Sequence, residues 1–202
     1  MRGVRELGYK CFLNSNVRSV EIPEVRYLES RSFEGCKRLV EVGLSCRLRW
    51  IDRYCFQGCE SLEKIVLPET LDEIGESAFS GCVNLTTIMI SYDDGRTVGE
   101  EGRIEFPPRI TEIKGGTFRD CGLSEVIHIP DNIKEVGDYA FSYTPVTNVI
   151  VHEGNAESIK NSLMFGHRGP LITITTLMND GTSDETIYCN PFYNVISKRG
   201  GI

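Results

Sequence analysis

Residues 69–90 read ETLDEIGESAFSGCVNLTTIMI, and the fold follows from how this stretch is parsed. Its apolar positions form two sets. Leu71, Ile74, Ala78 and Phe79 make up the first half, and Cys82, Leu85, Ile88 and Ile90 the second. The stretch ends in period-two alternation at Ile88-Met89-Ile90, which predicts a half-buried strand. The segment IGESAFSGC has apolar residues three and four apart and glycine near both ends. It is too short for a full helix, so it predicts a helical or 3₁₀ turn on the side opposite the strand.

The same pattern recurs. Phe79 has counterparts at Phe12, Phe33, Phe56, Phe118 and Phe141, set in ELGYKCFLNSNV, YLESRSFEGCKRL, WIDRYCFQGCESL, EIKGGTFRDCGL and EVGDYAFSYTPV. The gaps between these phenylalanines are 21, 23, 23, 39 and 23 residues, and the long gap is one period plus an insertion of 16 at residues 91–106. A period this short predicts a solenoid. Each copy carries a strand, at 17–22, 39–44, 62–67, 85–90, 123–129 and 146–151, and Pro23, Pro68 and Pro130 follow three of them. Proline lacks the N–H that a ladder needs and so ends a strand. One rung cannot bury its own faces, so stability must come from stacked neighbours.

Stacking turns repeated positions into columns. Cys36, Cys59, Cys82 and Cys121 each lie three residues after the marker phenylalanine. Cys11 and Cys55 precede it, where other copies have Ser32, Ala78, Thr117 and Ala140, all small. Cysteine at such packing positions behaves as a small hydrophobe. Six of the eight cysteines are therefore read as buried, reduced and structural, with Cys46 and Cys189 outside the columns. That usage permits a reducing compartment.

Hydrophobic content of 40% and charged content of 25% describe a folded chain, not a disordered one. A net charge of −7 argues against a nucleic-acid or anionic-membrane partner. The basic run RLRWIDR, residues 47–53, reads as a solvated repeat edge. No apolar run approaches the roughly 18 residues of a membrane span. The opening MRGVRELGYKCF lacks the apolar core of a signal peptide and already belongs to the first rung, leaving Val4, Leu7 and Phe12 at an open end. The expected location is the cell surface for a fragment of a longer protein and the cytoplasm for a complete one.

The remaining segments read differently. Residues 91–106, SYDDGRTVGEEGRIEF, are polar and glycine-rich and read as a hairpin or disordered excursion without a partner, an insertion that carries binding on one face being the alternative. Residues 152–202 hold no marker phenylalanine. Asn155 is placed to cap a short helix running through Phe165, with Ile159 and Leu163 on one face. LITITTLM alternates and is a strand candidate, followed by the turn NDGTSDE and the apolar stretch TIYCNPFYNVI, which predicts a terminal cap with a hairpin edge, a separate interaction module being the alternative. The expected organisation is thus a solenoid over residues 1–151 with an insertion at 91–106, closed by an α/β cap over 152–202.

The copies resemble the BspA-like leucine-rich repeat family, also known from treponemal proteins, whose unit of about 23 residues reads roughly I-G-x-x-A-F-x-x-C-x-x-L-x-x-I-x-I-P. Ile74, Gly75, Ala78, Phe79, Cys82, Leu85, Ile88 and Ile90 match it position by position. Glu29, Asp52 and Lys114 replace the glycine, and Ser15 and Thr144 the cysteine. The resemblance covers residues 4–151. It implies an array of about six rungs of 21–23 residues. It also implies surface-exposed proteins of bacteria and protists that bind host or matrix proteins.

Catalytic and metal-binding patterns are absent from the sequence. His128 lies seven residues after Cys121, but Cys121 belongs to the packing column, and Cys55 and Cys59 have no matching second pair for zinc. There is no phosphate-cradling glycine motif. The chain is therefore expected to be a non-enzymatic protein-binding module with no cofactor, self-association through the open first rung or the tail being the alternative. Within each strand an aliphatic pair points inward and the residue between them points out. That position reads Glu21, Gly43, Val66, Met89, Ile127 and Ile150, and the last four form the expected apolar contact stripe.

Overall fold

A computed structural model describes residues 3–160, 172–188 and 196–198. Its strands are, in chain order, β1 (Glu6–Leu7), β2 (Ser19–Ile22), β3 (Tyr27–Leu28), β4 (Glu41–Leu44), β5 (Trp50–Ile51), β6 (Lys64–Pro68), β7 (Glu73–Ile74) and β8 (Thr87–Ser91). They continue as β9 (Thr97–Val98), β10 (Glu112–Ile113), β11 (Val126–Ile129), β12 (Glu135–Val136) and β13 (Asn148–His152). A five-residue helix α1 (Ala156–Lys160) precedes β14 (Ile172–Leu177), β15 (Ser183–Tyr188) and β16 (Ile196–Lys198).

Each of the first six rungs contributes one long and one short strand, and strands of each kind pair in parallel with their equivalents in neighbouring rungs, with breaks between β4 and β6, β7 and β10, and β8 and β11. The short strands form the sheet β1-β3-β5-β7 and the pair β10-β12. The long strands form β2-β4, β6-β8 and β11-β13-β14. Parallel pairing of identical rungs keeps every position in register, so equivalent side chains fall one above another.

The marker phenylalanines show the result. Phe33, Phe56, Phe79 and Phe141 are fully buried and Phe118 nearly so, and their rings stack from one rung to the next at 5.1 to 5.8 Å, within 12° of parallel. Phe12, in the first rung, stacks on Phe33 at 5.1 Å and is half-buried.

The segment around each phenylalanine is neither an α- nor a 3₁₀-helix, which corrects the expected helical turn. It is a run of i→i+3 turns in which the residues two before and two after the phenylalanine both take positive φ. These positions are Lys10, Arg31, Tyr54, Ser77, Gly116 and Tyr139 on one side, and Asn14, Gly35, Gly58, Gly81, Asp120 and Tyr143 on the other. A residue at positive φ interrupts the right-handed helix and frees alternate N–H groups to point along the solenoid axis. The Phe56 N–H then donates to the Ala78 carbonyl at 2.7 Å, while the Cys59 N–H closes its own turn on the Phe56 carbonyl at 3.1 Å. The N–H groups of Phe12, Phe33, Phe79 and Phe118 likewise donate to the next rung, so the turns form a ladder of their own. Glycine is common after the phenylalanine because it reaches positive φ without steric cost.

The insertion is ordered and belongs to the sheet. β9 pairs antiparallel with the end of β8, and Ile104 bridges in parallel to Ile88. Both contacts occupy one edge of β8, so the insertion stands between β8 and the next long strand, β11. Phe106 is buried edge-on against Phe118 at 6.1 Å. The ladder of turns runs past the interruption: the Phe79 N–H donates to the Thr117 carbonyl at 3.0 Å across the 39-residue gap.

The strand expected in LITITTLM is β14, and it forms a hairpin with β15. β14 pairs in parallel with β13 as a seventh long strand, and β15 and β16 then add antiparallel. Asn155 does not act as a simple helix cap. It is buried, and its amide donates to the Pro130 and Ile133 carbonyls at 3.0 and 3.2 Å. Asn132 makes the equivalent bonds to Pro107 and Ile110 one rung earlier. The repeat therefore continues past the last marker phenylalanine. The expected helix positions Leu163 and Phe165, together with His167 and Cys189, lie outside the described residues.

Candidate interaction surfaces

The four cysteines after the phenylalanines have a polar role beyond packing. The thiols of Cys36, Cys59, Cys82 and Cys121 donate to the carbonyls of Phe12, Phe33, Phe56 and Phe79 in the preceding rung at 2.9 to 3.2 Å. Each of these carbonyls also accepts an N–H from its own turn, so both lone pairs are used. Burial pushes the thiols of Cys59, Cys82 and Cys121 up, and that of Cys55 in the neighbouring column as well. These are protonated, inert groups. Cys121 is no partner for His128, which points away from the core on β11.

Three of the four residues expected on the stripe face outward on the long strands. Strand register sets Glu21 beside Gly43, Val66 beside Met89, and His128 beside Ile150. Val66, Met89 and Ile150 are each half-buried and face outward between buried neighbours. Ile127 is a correction: it is 1% exposed and lies in register with the buried Val149. Copy five has an extra residue between Leu123 and the strand, and a shift of one residue exchanges the two faces of a strand. The inward pair is therefore Ile127 and Ile129, and His128 takes the outward place.

Two features break the stripe. The Glu21 carboxylate lies over Gly43, where an added Cβ would meet it at 1.9 Å. The insertion covers part of Met89, because an added Cβ on Gly99 would come within 3.1 Å of the Met89 side chain and 3.2 Å of its Cα. Glu101 anchors this cover through Lys64 at 2.7 Å, which holds its carboxyl below the usual range.

The short strands carry a second row, not anticipated from the sequence. Register aligns Glu6, Tyr27, Trp50 and Glu73 across β1, β3, β5 and β7. The Tyr27 and Trp50 rings stack at 4.8 Å and 7° from parallel, although Tyr27 is 38% exposed. They line a concavity of about 400 Å³ with Leu28 and Ile51 and the carboxylates of Glu6, Glu29, Asp52 and Glu73. A signal for this row exists in the sequence: the residue six before each marker phenylalanine reads Glu, Tyr, Trp, Glu, Glu, Glu. The basic run 47–53 dissolves into this surface. Arg49 pairs with Asp72 at 3.1 Å, and Trp50 joins the stack.

Short parallel ladders, a 23-residue period and a continuous buried aromatic column define a leucine-rich repeat solenoid. The chain belongs to the BspA-type leucine-rich repeat family, whose model matches residues 5–101 and 101–197 as six copies. The match thus extends beyond the last marker phenylalanine, as the continuing ladder does. The fold is similar to that of a leucine-rich repeat protein of T. pallidum, at 25% identity and TM-score 0.60, over 84% of this chain and 81% of that one. A leucine-rich repeat protein from Bacteroides ovatus is 22% identical at TM-score 0.44, over 75% of this chain and 48% of that one. The pneumococcal vaccine antigen PcpA is 26% identical at TM-score 0.49, over 68% and 31%. No curated protein matches the sequence. Leucine-rich repeat proteins are in general protein-interaction modules, and no enzyme family is indicated. Among the described residues no helix is long and apolar enough to cross a membrane.

Proposed function

We propose that this chain is a non-enzymatic module that binds another protein through the outward face of its long strands. The observation that carries the reading is the in-register placing of half-buried Val66 beside Met89, with half-buried Ile150 beside the exposed His128. Apolar side chains aligned on an ordered sheet offer contact area at little cost in conformational entropy. His128 replaces Ile127 in the proposed surface. Binding to a host or matrix protein, as in adhesion, is the form that the family resemblance suggests.

The test compares the intact chain with a Val66→Lys/Ile150→Lys double variant in affinity capture from the source organism's surroundings. Circular dichroism and melting confirm that the variant is folded. A protein retained by the parent and lost by the folded variant supports the face. Equal retention by both refutes it.

A further inference from the structure

The concavity on the short strands lies on different side chains from the proposed long-strand face. Its floor is Leu28 and Ile51, both buried. Above the floor Tyr27 and Trp50 stack on one another, so each ring turns one face to its partner and the other toward the neighbouring rung. Register puts Glu6 beside that outer side of Tyr27, and Glu73 beside that of Trp50. Glu29 and Asp52 directly follow β3 and β5, are exposed, and line the same concavity.

No cationic side chain lines this concavity. Arg49 is held by Asp72, and Lys114, at the rim, is held by Glu73 at 2.5 Å. Glu6, Glu29 and Asp52 have no ion-pair partner among the described residues. Glu29 accepts the Tyr9 N–H at 2.7 Å and Asp52 the Arg53 N–H at 2.6 Å, bonds that leave their negative charge in place.

Carboxylates alone on a surface would be a solvated face. The aromatic pair among them changes the chemistry, because a ring face attracts a cation and a neighbouring carboxylate attracts the same cation. Guanidinium suits the site better than ammonium: it is planar, stacks on indole and engages carboxylates through a fixed fork of donors. We infer that the Tyr27–Trp50 concavity is a docking site for an extended, arginine-containing segment of a partner protein. Charge complementarity selects this occupant: three carboxylates without an ion-pair partner among the described residues, Glu6, Glu29 and Asp52, line the site in a chain of net charge −7. The dimensions agree. From β1 to β7 is three rung steps of about 4.8 Å, and five extended residues reach about 17 Å.

Trp50 is the single tryptophan of the chain, so its fluorescence reports directly on the site. The probe is a blocked peptide of alternating glycine and arginine, titrated into the full chain at low and at physiological ionic strength. Its lysine and glutamate analogues serve as comparisons. The expected result is a saturable change in Trp50 emission with the arginine peptide, weaker with lysine, absent with glutamate, and reduced by salt. The Glu6→Gln/Glu29→Gln/Asp52→Asn variant keeps oxygens to accept the two backbone N–H groups, and its affinity should fall about tenfold. No saturable response, an equal response to the glutamate peptide, or an unchanged affinity in the triple variant overturns the proposal. If the triple variant is unfolded by circular dichroism, Glu6→Gln alone decides, since this exposed side chain makes no backbone bond; unchanged affinity there also overturns it. The Val66→Lys/Ile150→Lys variant should bind the peptide as the parent does. Loss of binding there would place the peptide on the other face and refute this site.

Discussion

Replacing Phe79 by alanine probes the aromatic column where it is most constrained. The ring is fully buried and lies between Phe56 at 5.3 Å and Phe118 at 5.8 Å. Its loss removes a large apolar surface from the core and opens a cavity that stacked rungs cannot collapse into. Substitutions of this kind cost about 3–5 kcal/mol. The backbone bonds of the rung survive, because the Cys121 thiol and the Cys82 N–H bind the Phe79 carbonyl and not its ring. For a chain of this length each kcal/mol lowers the midpoint by about 2–4 °C, so the expected shift is about 6–20 °C. Phe12→Ala is the internal comparison. Phe12 is half-buried and has one stacking partner, so its loss should cost about half as much. Thermal and urea unfolding followed by circular dichroism measure both. Equal shifts for the two variants, or a Phe79→Ala midpoint within 2 °C of the parent (about 1 kcal/mol or less), would refute the column as the stabilising core.

Two further outcomes are expected. Gly75→Ala should destabilise by about 1–3 kcal/mol, because its Cβ would stand 2.4 Å from the Arg53 backbone nitrogen, which has no freedom to move aside; an unchanged melting curve would show that the rungs are not so closely apposed. The buried thiols of Cys55, Cys59, Cys82 and Cys121 should make stability fall at alkaline pH. Their native values are raised above the ordinary 9.0, so above that pH the unfolded chain loses protons that the native chain keeps. The stabilising contribution is fully present below about pH 8.5 and declines above it, by about 1.4 kcal/mol per pH unit for each thiol fully ionised in the unfolded state. Melting between pH 8 and 10.5 should show this fall, with a shallower slope in Cys82→Ala. Mass-spectrometric mapping of thiol alkylation should find Cys11 and Cys46 labelled in the native chain and these four only after denaturation. A flat pH profile or native labelling of Cys59 would contradict their burial.

Much of the architecture was legible in the residues because a repeat writes its core many times over. The phenylalanine period predicted both the stack and the cysteine column beside it, since parallel rungs must superpose equivalent positions. The outward position of each long strand was legible where the spacing was constant, at Val66, Met89 and Ile150. It was not legible at Ile127, where one additional residue reversed the face. The aromatic and acidic row was also written in the sequence, six residues before each phenylalanine, but its strands are only two residues long. Two residues carry no periodicity, so nothing marked Tyr27 and Trp50 as neighbours on a strand.

The amino-acid sequence by itself determined the period, the inward-facing side chains and the family, because burial of the same apolar set in each rung leaves a repeated local signature. Only the tertiary structure decided where backbone groups find their partners. The paired positive-φ turns, the thiols donating to carbonyls one rung away, the bridge of Ile104 to Ile88 and the continuation of the ladder through Asn155 and β14 all depend on bonds between residues more than 12 apart. Such bonds satisfy donors and acceptors that local sequence leaves unpaired, and their partners exist only once neighbouring rungs have stacked.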